Sequence, residues 1–107
     1  MTNRIERIES MLVDEPNDTF LRYSLAMEYF KIGRHTESLE KLASLTKENP
    51  PYVPAFFMAA QHLVELDDVN QAREFLRTGI EAARCEGDSH AAAEMSEFLS
   101  TLGEYGE

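Results

Sequence analysis

The sequence predicts an all-α fold, a stack of antiparallel helix pairs, and three observations carry that prediction. Apolar residues recur at three- and four-residue spacing along almost the whole chain. Strand signals are missing, with no Asn-Gly or Asp-Gly hairpin turn and no run of alternating Val, Ile and Thr. The chain also matches itself when shifted by 34 residues, the signature of a repeat architecture.

The elements follow in order. Ile5, Ile8 and Leu12 form the stripe of a first helix that ends at "DEPND" (14–18). Asp18 or Thr19 caps a second, which reaches Ile32 and stops at Gly33. A third runs from about His35 to Glu48 around Leu39, Leu42 and Leu45, and "NPP" (49–51) breaks it, because proline lacks an amide hydrogen and disfavours helix in the residue before it. Pro54 opens a fourth helix through about Leu66. "DDVN" (67–70) leads into a fifth, with Ala72, Leu76, Gly79 and Ala83 on one face. After "CEGD" (85–88), Asp88 or Ser89 caps a sixth that carries Ala91, Met95, Phe98 and Leu102, and residues 103–107 form a frayed tail. Six helices of about 11 to 15 residues with short connections must pack as antiparallel neighbours.

The 107 residues suit one domain with a modest core. The formal charge of −10, from 20 acids and 10 bases, repels phosphate backbones and anionic headgroups, which argues against nucleic-acid and membrane-surface roles. The acidity serves solubility or a basic partner. Cys85 is the only cysteine, which permits a reducing compartment, and it reads as a small packed residue near a helix end rather than a nucleophile. The N-terminus has no apolar signal region, and no stretch approaches the roughly 18 apolar residues of a membrane span. A cytoplasmic protein is expected.

Under the 34-residue shift, Leu25 falls on Ala59, Ala26 on Ala60, Tyr29 on Leu63, Ser38 on Ala72 and Leu42 on Leu76. In the other direction Leu39, Leu42, Leu45 and Pro50 fall on Ile5, Ile8, Met11 and Pro16. The pattern resembles the tetratricopeptide repeat, with Leu25, Ala26, Tyr29, Gly33, Ser38, Leu42 and Pro50 matching in residues 19–52, and Phe56, Ala59, Ala60, Leu63, Ala72, Leu76 and Gly79 in residues 53–86. Residues 1–16 are then an N-terminal half-repeat and 87–102 a capping helix that fits after a one-residue slip. Arg22 departs from the family's large aromatic, Leu45 from its alanine and Arg84 from its proline. The resemblance implies a right-handed superhelical α-solenoid. Independently of it, a helix pair that cannot bury its own apolar face must stack on neighbours, and Ala26, Ala60 and Gly79 read as the close-approach points.

The second helix carries more apolar surface than stacking needs. At 100° per residue from Arg22, the stacking side holds Leu21, Leu25, Ala26, Tyr29 and Ile32, while Phe20, Tyr23, Met27 and Phe30 cluster at about 80° to 160°. The same sector of the next repeat holds Phe57, Gln61 and Val64. In proteins similar to this family the first helix of each pair lines a concave groove. That resemblance puts Phe20, Tyr23, Met27, Phe30, Lys31, Phe57, Gln61, Val64 and Glu65 on the groove wall. The basic and amide clamp that holds carboxylate tails in some members is absent, since Tyr23, Met27 and Met58 occupy its positions, so an apolar or amphipathic protein segment is the expected ligand. Two other readings stay open: packing of the aromatics against neighbouring helices, and burial of the same stripe against a second copy in a homodimer or larger assembly.

Nothing in the sequence makes a catalytic or metal site. His35, His62 and His90 fit no ligand spacing and read as solvated or turn histidines. The acid clusters Asp14, Glu15, Asp18 and Glu65, Asp67, Asp68 lack the central glycine of a calcium loop and read as caps and solvated turns. There is no glycine-rich phosphate loop and no serine triad. The expectation is a non-catalytic interaction module without cofactor.

Overall fold

The computed structural model describes residues 3–103, so the expected tail beyond Gly103 lies outside the described residues. Six helices account for the regular structure, and no strand occurs among the described residues: α1 (Arg4–Asp14), α2 (Thr19–Lys31), α3 (His35–Thr46), α4 (Pro54–Glu65), α5 (Val69–Cys85) and α6 (Ser89–Leu102). Each packs against its neighbours in sequence. The result is a slab of 47 × 30 × 18 Å rather than a sphere.

Aspartates start three of the helices. The carboxylates of Asp18, Asp68 and Asp88 accept hydrogen bonds from the amides of Leu21 (2.9 Å), Gln71 (3.2 Å) and Ala91 (3.0 Å), satisfying donors that a helix start leaves unpaired. The start of α1 is a capping box that the pattern reading did not pick out. Asn3 Oδ1 accepts from the Glu6 amide at 2.8 Å while Glu6 Oε1 accepts from the Asn3 amide at 3.1 Å.

Three helix ends close alike. The amides of Arg34, Asp68 and Asp88 donate to the carbonyls of Tyr29 (2.9 Å), Leu63 (2.8 Å) and Ala83 (2.8 Å). The residue before each takes a left-handed conformation: Gly33 at φ 86°, Asp67 at φ 64° and Gly87 at φ 75°. Asp67 stands 34 residues after Gly33 and fills the same turn without glycine's freedom. In the α3–α4 connection the Asn49–Pro50 peptide is cis.

The core is a row of three clusters. Ile8, Leu25 and Tyr29 join α1 to α2; Ala26, Leu42, Leu45, Ala55 and Ala59 join α2, α3 and α4; and Phe56, Leu63, Leu76, Ile80, Met95 and Leu102 lie among α4, α5 and α6. Ala26 and Ala60 have no exposed surface. At Gly79 a Cβ would stand 2.6 Å from Phe56 Cβ and 2.7 Å from Met95 Sδ, so α5 reaches α4 and α6 only because this residue has no side chain. In α6 the buried positions are Ala92, Met95 and Leu102, with Ala91 and Phe98 only partly covered.

Two sequence readings are corrected. Cys85 is exposed rather than packed, since Ala83 takes the buried side of the same last turn of α5. His62 is buried within α4 rather than solvated, since the wheel position it shares with the stack turns it toward α2. Arg22, the departure from the aromatic pattern, donates from Nη2 to Ser44 Oγ at 2.9 Å and Glu48 Oε2 at 3.4 Å, so a polar tie from α2 to α3 replaces ring packing. Arg73 is a buried arginine that periodicity gave no reason to expect. It donates to the Leu102 carbonyl at 2.7 Å and to Asn70 Oδ1 at 2.9 Å, holding the end of α6.

Two substitutions check this account. Gly79→Ala gains about 1 kcal/mol of helix propensity but overpacks against Phe56 and Met95, an effect that typically costs about 1–3 kcal/mol; a net loss in urea unfolding is the expected result. At Asp67, valine loses about 1–2 kcal/mol in the left-handed conformation, whereas Asp67→Gly leaves the midpoint unchanged or raises it.

Candidate functional site

An apolar pocket of about 260 Å³ lies between α4 and α6 with one wall from α2. Val53, Pro54, Phe57, Met58 and Gln61 come from the start and middle of α4, Tyr23 from α2, and Asp88, His90, Ala91, Glu94 and Met95 from the start of α6. The 34-residue period puts Tyr23 and Phe57 at equivalent positions on α2 and α4, and α6, which fits after a one-residue slip, adds Ala91 and Met95, the counterparts of Phe56 and Ala60.

Its walls are held from behind. The Tyr23 ring packs 5.4 Å from the Tyr52 ring at 59°, and Phe57 packs 5.5 Å from Phe98 at 58°. Both are favourable tilted aromatic contacts, so the exposed faces of Tyr23 and Phe57 are presented on fixed rings. Burial, with a smaller contribution from Tyr52, pushes the Tyr23 hydroxyl above its usual pKa, keeping it a neutral hydrogen-bonding group. The polar part of the rim is acidic. Asp88 and Glu94 line it, among the described residues no Lys or Arg does, and His90 Nε2 lies 3.6 Å from Glu94 Oε2.

Of the residues expected in a groove, Tyr23, Phe57 and Gln61 line this pocket. Phe30 does not: its ring stacks on His62 at 3.6 Å and 9°, and lies 4.4 Å from His35. Phe20 is 64% exposed and stands apart from the pocket, and Met27 is half-buried. Lys31 is exposed and donates to Glu28 Oε2 at 3.2 Å. Val64 packs against the α4–α6 core, and Glu65 is exposed. Sequence reasoning missed the α6 contribution of Asp88, His90, Ala91 and Glu94. Extending the stripe of α2 and α4 into the slipped sixth helix would have found it.

No group of three or more His, Cys, Asp or Glu among the described residues gathers where a metal ion would sit. Among the described residues no helix is long and apolar enough to cross a membrane.

His62 gives the Phe30 contact a pH dependence. Its Nδ1 has no hydrogen-bond partner among the described residues, and burial lowers its pKa below 6.5; His35 acts in the same direction and Glu65 against it. The unfolded chain therefore binds a proton before the folded one does. The contribution is complete above pH 6.5 and is lost as the pH falls toward the folded pKa. Urea unfolding at about pH 5 and about pH 7.5 should show a loss of stability at the lower pH that shrinks in His62→Leu. Equal pH dependence of the two proteins would contradict this role.

No family model matches the chain. A TPR repeat-containing protein of Pseudomonas aeruginosa is 28% identical over 98 residues, spanning 92% of this chain and 93% of its own. A tetratricopeptide repeat domain protein from Salinibacter ruber superimposes with a TM-score of 0.76 at 29% identity, covering 81% of this chain and 88% of that one. A protein from Bordetella parapertussis does so at 0.80 and 27% identity, over 98% and 91%. With its 34-residue period and its stack of six helices, the chain has the fold of the tetratricopeptide-repeat proteins it is similar to, a fold that generally serves protein interaction.

Proposed function

We propose that this protein is a non-catalytic interaction module that binds an apolar or amphipathic segment of another protein in the pocket shared by α2, α4 and α6. Residues 19–52 and 53–86 act as two repeats between a half-repeat (1–16) and a capping helix (87–102), and the groove they form is read from Tyr23, Phe57 and Gln61 together with Met58 and Ala91. The carrying observation is that the repeat-equivalent Tyr23 and Phe57 line one apolar concavity together with Ala91 and Met95 of α6. Packing inside the chain absorbs Phe30 but leaves this surface open. Phe20 and Met27 lie on the same helix and extend the surface where a long segment continues past the pocket. A cytoplasmic setting fits the exposed free thiol of Cys85.

Met58→Glu puts a charge on the pocket floor, and Ala91→Trp fills it with bulk. Both variants are expected to keep the wild-type circular dichroism and melting transition while weakening a bound peptide at least about tenfold. Binding that neither variant alters would remove the pocket as the site. A monomer–dimer equilibrium in sedimentation that both variants dissolve would assign the face to self-association instead.

A further inference from the structure

The pocket's size and its rim together restrict what it takes. At about 260 Å³ it falls short of the roughly 300–1,000 Å³ of small-molecule sites, and it has room for a large side chain or two rather than a metabolite. Its floor, from Phe57, Met58 and Met95, is apolar, with Gln61 as an amide able to pair with an extended or helical backbone. Its rim is one-sided: Asp88 and Glu94 supply carboxylates, and among the described residues no Lys or Arg lines the pocket to neutralise them. His90 lies beside Glu94, its Nε2 3.6 Å from Glu94 Oε2. The surrounding field has the same sign, since the whole chain carries −10.

We infer that the occupant is a cationic amphipathic segment of a partner protein, whose apolar anchor enters the pocket while a lysine or arginine within one helical turn of it pairs with Glu94 and Asp88. This rests on the pocket being the binding site proposed above. The anchor supplies affinity through burial, and the cation supplies orientation and attraction at a distance, so association weakens as salt is raised.

A random-peptide display library selected on the immobilised full-length chain tests it. The expected clones carry a large apolar residue with Lys or Arg three or four positions away. Bound to a selected peptide, Glu94→Lys should lose about tenfold in affinity, whereas Glu40→Lys, the same charge change on exposed α3, should alter it less than about twofold. Glu94 is half exposed, with His90 its neighbour, so its replacement leaves the fold intact. Clones without excess basic residues, or equal losses from Glu94→Lys and Glu40→Lys, would overturn the cationic preference, and continued blocking by Ala91→Trp would then leave the pocket itself standing. Clones whose binding ignores Ala91→Trp and Met58→Glu, or a library that yields none while those variants dissolve a dimer, would overturn the pocket and the inference with it.

Discussion

The close approach of α5 to its two neighbours at Gly79 is the constraint on which the second half of the molecule depends. Phe56 and Met95 both occupy the space that a side chain there would need. Met95 is at once a core residue and part of the pocket floor, so the spacing that closes the core also sets the width of the concave site. Ala26, in the α2–α3–α4 cluster, and Ala60, in the α4–α5–α6 cluster, are likewise small residues with no exposed surface. A chain that packs only neighbour against neighbour has no second layer to compensate for a misplaced helix, and small residues at each crossing keep the rise from one pair to the next regular.

The surplus apolar stripe on α2 divides between two uses. Phe30 is spent on the buried imidazole of His62, a contact that ties α2 to α4 with rings rather than with aliphatic side chains. Tyr23, seven residues earlier, rests on Tyr52 and keeps one side toward the pocket. The stripe therefore joins the stack at one end of the helix and builds the concave wall at the other. A similar division between ring and charge occurs on the opposite surface, where Tyr29 donates to Glu9 at 2.9 Å while Arg34 lies 4.1 Å over its ring, linking α1, α2 and the following turn.

Departures from the repeat pattern are local replacements of one kind of tie by another. Arg22 joins α2 to Ser44 and Glu48, where an aromatic ring would join them by packing, and Arg73 closes the carbonyl end of α6 from within the core. Neither changes the path of the backbone. That is why a chain at 27–29% identity keeps the architecture of the structures it resembles.

The helices, their order and their stacking were legible in the sequence, because each depends on local chemistry: apolar residues at helical spacing, aspartates at the starts, Gly33 and the prolines at the breaks, and small residues returning every 34 positions. Even Asp67 in glycine's turn follows from that period. The location of the pocket did not follow from one helix, since a wheel drawn on α2 treats Phe30 and Tyr23 alike. Only the tertiary structure decided which ring His62 would cover, that Arg73 would reach Leu102, and that the acidic start of α6 would complete the rim around Tyr23 and Phe57. Those outcomes depend on distances between helices far apart in the chain, and a pattern read within each helix carries no information about them.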